Sequence, residues 1–290
     1  MQIKLIEPRG FCFGVRRAIS LVEEALEKNL EKKVYVLHSI VHNEKVIEDL
    51  ELKGAIFIED LKEAKEGNVL IISAHGISPK LRNEIQNKDF KIIDATCPLV
   101  EKVHKEAIKF SKLGYEILLI GHPGHREVLG IMGEAPMHLI SSVDDIENLA
   151  LNIRDKANSK IACLSQTTFS VEKARKIFQA IKEKYSNLVT MADKDICHAT
   201  QVRQDALRKA CDWADLVLVV GSENSNNTRE LLNLALDLGI ESYLISSKKN
   251  LDKNIFLKKE KVAITAGAST PEYVVEEVVG EIEKLNFQRI

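Results

Sequence analysis

Three stretches of the 290-residue chain place a cysteine at the start of a helical pattern: PRGFCFGVRRAISLVEEAL around Cys12, DATCPLVEKVHKE around Cys97, and DKDICHATQVRQDALRKA around Cys197. A helix N-terminus presents N–H groups without intrahelical acceptors and the positive end of the dipole, so a cysteine there becomes a thiolate more readily. Three such thiolates can hold zinc or an iron–sulfur cluster. Zinc sites usually draw two ligands from one short motif, and the chain has no CxxC pair. Cysteines 85 and 100 residues apart suit a cluster held between domains, since thiolates are its usual ligands. Three ligands for four metals leave one metal open to substrate. The competing reading is three small core residues, because cysteine is among the most buried types. For one cysteine that reading prevails; for three in matching contexts ligation does. Cys163, inside an apolar run, and Cys211, in mid-helix, read as core.

A second set of groups lies where apolar runs end. HSIVHNEKV offers His42 and SAHGIS offers His75; GHPGHREV offers His125 and Glu127, and SQTTFS offers Thr167 and Thr168. GSENSNNT offers Ser225, Asn226 and Asn227, and AGAST offers Ser269. Imidazoles, hydroxyls and amides are hydrogen-bond donors, and a diphosphate needs several of them at once. Neither GxxxxGK[ST] nor GxGxxG occurs, so the pattern is neither a P-loop nor a dinucleotide fingerprint. Taken singly, each histidine reads equally well as structural, and serine or asparagine at a loop start reads as a helix cap. The signal is the shared placement. Glu127 is the one acidic group in its loop; shielded from water, such a carboxyl has a raised pKa and can act as a general acid. Thr167 or Thr168 can orient it or relay its proton.

These groups need a scaffold that presents strand ends. The runs KVYVLHS, NVLIISAHG, FKIIDATCP, YEILLIGHPGH, KIACLSQTT, LVLVVGSENSN, ESYLISS and KVAITAGAS alternate with amphipathic stretches, the pattern of buried parallel strands in an α/β protein. The helical stretches include 15–30, 100–113, 171–185, 202–214, 228–238 and 271–285. A threefold repeat divides the chain into modules at 1–96 (Cys12, His42, His75), 97–193 (Cys97, His125, Glu127, Thr167) and 194–290 (Cys197, Ser225, Asn227, Ser269). Ligands of open α/β sheets bind beyond the carboxyl ends of the strands, so three modules turned inward gather these residues around one cavity. With 45% hydrophobic and 29% charged residues and a net charge of −2, the composition is that of a soluble globular protein without the basic block that nucleic acid requires. No apolar segment reaches the length of a signal peptide or membrane span, and a cytoplasmic location is expected.

Nine motifs in order, RGFCFGVRRA, HSIVHN, SAHGIS, DATCPLV, GHPGHREV, SQTTFSV, DICHAT, VVGSENSNNT and TAGAST, resemble the 4-hydroxy-3-methylbut-2-enyl diphosphate reductase family over essentially the whole length. The resemblance implies three similar α/β modules with mostly parallel sheets in pseudo-threefold arrangement around a central [4Fe–4S] cluster, one per chain, held by Cys12, Cys97 and Cys197. It implies that the fourth, open iron takes the allylic hydroxyl of the substrate. Two electrons and protons then remove it as water, giving isopentenyl and dimethylallyl diphosphates as the last step of the methylerythritol phosphate route to isoprenoids. It further implies that His42, His75, His125, Ser225, Asn227 and Ser269 hold the diphosphate, that Glu127 supplies the proton with Thr167 near the hydroxyl, and that a ferredoxin or flavodoxin supplies electrons. Asn226 and Thr228 stand where the family often has serines, and Pro123 and Arg126 alter the usual filling of the GHxGHxE loop. Asn226 can still donate to the substrate. A non-redox hydro-lyase using the same open iron, an iron–sulfur sensor and a structural zinc protein are the other readings. The sensor lacks a basic output surface, and the cysteine spacing disfavours zinc.

Overall fold

The computed structural model describes residues 2–147, 160–185, 187–189 and 194–289. Among them the strands are β1 (Gln2–Leu5), β2 (Val34–Leu37), β3 (Ala55–Ile58), β4 (Val69–Ile72), β5 (Lys91–Asp94), β6 (Glu116–Ile120), β7 (His138–Ile140), β8 (Ile161–Ser165), β9 (Leu216–Val220), β10 (Ser242–Ile245), β11 (Lys261–Ala266) and β12 (Gln288–Arg289). The helices are α1 (Phe13–Lys28), α2 (Glu44–Leu52), α3 (Pro79–Gln86), α4 (Pro98–Lys112), α5 (Arg126–Met132), α6 (Val171–Lys184), α7 (His198–Cys211), α8 (Asn226–Asp237) and α9 (Glu272–Glu283). All eight apolar runs are strands, and the six helical stretches correspond to α1, α4, α6, α7, α8 and α9. Strand pairing is parallel throughout the three sheets.

The chain divides into two compact units. One comprises Met1–Arg16, Val41–Leu52 and His198–Ile290 and holds the five-stranded sheet in the order β10-β9-β11-β1-β12. Every residue of β9 is buried, and its side chains alternate between two cores. Leu216, Leu218 and Val220 pack with Val275, Val278 and Ile282 of α9; Val217 and Val219 pack with Leu207 of α7 and Leu231 of α8. Strands covered on both faces explain the unbroken apolar runs. Gln2–Leu5, which consecutive thirds would assign to the first module, pairs with β11 in this sheet. There it pairs with the edge of β11 that β9 does not occupy.

The other unit comprises Arg17–Ile40 and Lys53–Cys197. It holds the four-stranded sheet β3-β2-β4-β5 and the three-stranded sheet β7-β6-β8. Alternation along β6 again serves two cores: Ile117 and Leu119 face Val103 and Ala107 of α4 and Val128 of α5, while Leu118 and Ile120 face Phe169, Ile177 and Ile181. Cys163 lies in that second core, fully buried. The expected division between 193 and 194 falls on residue 193, outside the described residues. No helix among the described residues is long and apolar enough to cross a membrane.

Candidate active site

The three helix-heading cysteines share one backbone device. The N–H of Cys12 donates to the carbonyl of Ala268 at 3.1 Å, that of Cys97 to Ala74 at 3.0 Å, and that of Cys197 to Thr167 at 3.0 Å. Ala268, Ala74 and Thr167 each stand two residues beyond the last residue of a strand, β11, β4 and β8. Each cysteine is thus pinned to the loop after a parallel strand and directly precedes or caps a helix: α1, α4 or α7. Cys97 takes the N-cap place of α4 with extended backbone, followed by Pro98 at the first helical position, where a missing N–H costs nothing. All three cysteines are half-buried, whereas Cys163 and Cys211 are buried. Burial first, then the Asp195 charge, pushes the Cys163 thiol far up, and burial raises that of Cys211, so neither is suited to act as a thiolate ligand. Each of these thiols is of the type that ligates iron–sulfur clusters. Cys97 and Cys197 belong to one unit and Cys12 to the other, and no three of the His, Cys, Asp and Glu side chains among the described residues are grouped as a metal site.

In the unit of residues 17–40 and 53–197, the loop after β6 ends at His125, Glu127 follows in the first turn of α5, and the loop after β8 carries Thr167. His125 is the N-cap of α5, its Nδ1 accepting from the Glu127 N–H at 3.1 Å. In its neutral form the ring therefore keeps its hydrogen on Nε2. Glu127 is 2% exposed. Its Oε1 accepts from the Thr167 N–H at 2.7 Å, and its Oε2 lies 3.0 Å from the Thr167 hydroxyl. Burial pushes its pKa up to about 7; the two bonds from Thr167 oppose that rise, and the charge of Asp195 adds to it. A carboxyl titrating there can both hold and release a proton at neutral pH. His75, after β4, meets His125 edge to face with ring centroids 5.7 Å apart, and its Nδ1 lies 3.4 Å from the Ser73 hydroxyl. Thr168 instead accepts from the Gln166 amide at 3.1 Å, which leaves Thr167 as the threonine on the carboxyl.

In the other unit, Ser225 caps α8, its hydroxyl accepting from the Thr228 N–H at 3.4 Å. The Ser269 hydroxyl donates to the His42 carbonyl at 3.0 Å and lies 3.5 Å from the Ser225 hydroxyl. His42, Ser225 and Ser269 are therefore neighbours. Asn227 has a scaffold role as well: its Oδ1 accepts from the Ala268 N–H at 3.0 Å and its Nδ2 donates to the Thr200 hydroxyl at 3.3 Å. It thereby fixes the loop whose carbonyl holds Cys12. The buried Asn226 accepts at Oδ1 from Arg229, while its Nδ2 has no protein partner among the described residues. Thr228 fills the space between two glycines, since a Cβ on Gly221 or Gly267 would stand 2.7 or 2.1 Å from its Oγ1.

Sequence reasoning missed three buried polar groups that hold these loops. Gln166 accepts at Oε1 from the His122 N–H at 2.9 Å, joining the GHPGH and SQTT loops. Asp195, two residues before Cys197, accepts from the Ser165 N–H at 3.2 Å and from Lys102 of α4 at 3.1 Å. Arg203 of α7 donates to the carbonyl of Gly10 at 2.6 Å and steadies the turn before Cys12. Gln166 and Asp195 lie inside motifs and Arg203 just beyond one, yet nothing in their spacing separates them from surface polar residues.

Comparison with known proteins shows the family. The model of the LytB protein family matches residues 3–283. A 4-hydroxy-3-methylbut-2-enyl diphosphate reductase of Nitrosomonas europaea is 43% identical, covering 98% of this chain and 88% of that one. The same enzyme of Psychromonas ingrahamii is 44% identical over 98% and 91%. Among solved structures, the E-1-hydroxy-2-methyl-but-2-enyl-4-diphosphate reductase of Plasmodium falciparum superposes with a TM-score of 0.92 at 40% identity, covering 100% of this chain and 91% of that one. A second, described as the terminal enzyme of the non-mevalonate pathway, has a TM-score of 0.69 at 32% identity over 98% and 100%. The match spans nearly every residue and both units, and the chain belongs to the LytB family.

Proposed function

We propose that this chain is a 4-hydroxy-3-methylbut-2-enyl diphosphate reductase of the non-mevalonate route to isoprenoids, acting in the cytoplasm. Family membership supports an oxidoreductase that uses an iron–sulfur cluster and takes an allylic diphosphate. The finer reading is a [4Fe–4S] cluster held by Cys12, Cys97 and Cys197, with the three sheets as modules in pseudo-threefold arrangement. What supports those ligands is their shared backbone pinning, together with the exclusion of Cys163 and Cys211 by burial. When bound, the cluster supplies electrons and a Lewis-acidic iron without a protein ligand.

The observation that carries the reading is the Glu127–Thr167 pair, a water-excluded carboxyl titrating near neutral pH and bonded to the residue whose carbonyl holds Cys197. In the reaction the allylic C–O bond breaks, the oxygen leaves as water with one proton, and two electrons and a second proton pass to the allyl fragment. Glu127 holds the proton for the leaving oxygen, and the Thr167 hydroxyl orients the carboxyl. His42, His75, His125, Ser225, Asn226, Asn227 and Ser269 bind the diphosphate. His125 contributes its Nε2–H, and Asn226 contributes the Nδ2 that has no acceptor among the described residues. Reduced ferredoxin or flavodoxin supplies the electrons. The test is anaerobic turnover of the allylic diphosphate with and without a chemical reductant. Formation of isopentenyl and dimethylallyl diphosphates only with reductant is expected, and release of water without reductant would establish a hydro-lyase instead.

A further inference from the structure

His104 sits in the middle of α4, 6% exposed, and takes no part in the chemistry described above. Its Nδ1 lies 2.7 Å from Oε1 of Glu134, whose side chain is itself 10% exposed. With a carboxylate at that distance Nδ1 carries the hydrogen. The buried Nε2 has no hydrogen-bond partner among the described residues. The far edge of the ring meets glycine on two sides. A Cβ on Gly76 would stand 3.0 Å from Nε2, and a Cβ on Gly130 would stand 3.3 Å from Cε1 and 3.4 Å from Nε2. Gly133 continues the close approach, since a Cβ there would come within 2.6 Å of the Ser78 Cβ. Segment 76–78 and helix α5 are therefore in near-backbone contact, with one imidazole as the spacer.

Both sides of that contact lead to the site. Gly76 directly follows His75, and Gly130 lies one turn beyond Glu127 on the helix that His125 caps. We infer that His104 is a positioning residue: its ring, fixed by Glu134, sets the distance of the His75 loop from α5 and so the 5.7 Å meeting of the His75 and His125 rings. A close-packed interior transmits such a shift, and displacement of a binding group by an ångström is enough to weaken it by an order of magnitude or more. This inference rests on the proposed function, in which both histidines hold the diphosphate.

The decisive variant is His104→Asn. Its Nδ2 takes the place of Nδ1 in donating to Glu134, while the atoms touching Gly76 and Gly130 are lost. Gly130→Ala presses on the same ring from the other side, and alanine favours the helix. Both variants are expected to raise KM for the allylic diphosphate about tenfold and to weaken inorganic pyrophosphate binding, read by calorimetry, by a similar factor. Iron and sulfide content stays at the wild-type level. Glu134→Gln keeps an acceptor for Nδ1–H and is expected to leave both readouts close to wild type. Wild-type KM and pyrophosphate affinity in both His104→Asn and Gly130→Ala would overturn the inference. Loss of iron with pyrophosphate affinity intact would also overturn it, since His104 would then serve α4 and Cys97 alone. A wild-type chain that binds pyrophosphate without reductive turnover overturns the proposed function and not His104; one that binds no pyrophosphate overturns both.

Discussion

Glu127→Gln separates the state of the proton from the shape of the site. Glutamine fits the same bonds, its Oε1 accepting from the Thr167 N–H and its Nε2 donating to the Thr167 hydroxyl. In the folded wild type the carboxyl titrates near about 7, against 4.5 for the exposed group, and burial is the main cause. Because the folded pKa is raised, the folded chain keeps a proton that the unfolded chain has lost between those values. The contribution to stability is intact below pH 4.5 and falls as pH rises through about 7. Roughly 2.5 pH units at 1.36 kcal/mol each amount to about 3 kcal/mol by pH 8. Glutamine does not ionise and avoids that loss. Relative to wild type, the variant is expected to be of similar stability near pH 4.5 and about 3 kcal/mol more stable at pH 8, or roughly 6–12 °C in melting temperature for a chain of this size. Other groups titrate in both proteins and largely cancel in the difference, apart from the charge of Asp195, which Glu127 feels directly. The assay is anaerobic melting of wild type and variant from pH 4.5 to 8 at constant ionic strength, with turnover measured alongside. A melting difference that does not change with pH would refute the claim that burial holds the proton on Glu127.

Thr167→Val removes the hydroxyl bond that lowers the Glu127 pKa. A bond to a charged group is worth about 1.5–3 kcal/mol, or roughly one to two pH units. The alkaline limb of the pH–turnover profile therefore moves up by at least about one unit, and an unmoved limb would contradict the pairing. Cys97→Ser is expected to lose iron and sulfide while Cys163→Ala, which alters only the β8 core, keeps both; the reverse pattern would overturn the choice of ligands. Gly267→Ala drives a Cβ to 2.1 Å from the Thr228 hydroxyl, an overpacking that costs about 1–3 kcal/mol in thermal or denaturant unfolding. Wild-type stability in that variant would show that the loop holding Cys12 is not close-packed.

The parallel strands were legible because both of their faces are covered, which leaves uninterrupted runs such as LVLVV at 216–220 and VLII at 69–72. β7 and β12 are only three and two residues long and α3 and α5 eight and seven, too short for a pattern to stand out. The entry of Gln2–Leu5 into the sheet of β9–β11 is a long-range pairing that nothing local encodes. The cysteines, Glu127 and the strand-end histidines stood out because their types are chemically distinctive at repeated places. Gln166, Asp195 and His104 did not, because their roles consist of hydrogen bonds and packing across 30 residues or more of sequence. Asn227 was read from its side chain as a donor to substrate; that it also ties Ala268 to α7 follows only from the fold.

The measurement that tests the central claim most directly is the iron and acid-labile sulfide content of anaerobically prepared protein, with its electron paramagnetic resonance spectrum after reduction, with and without the allylic diphosphate. About four irons and four sulfides per chain, with a cluster signal that changes when the diphosphate is added, is the predicted result. Stoichiometric zinc, with no iron retained even after anaerobic cluster reconstitution, would contradict it.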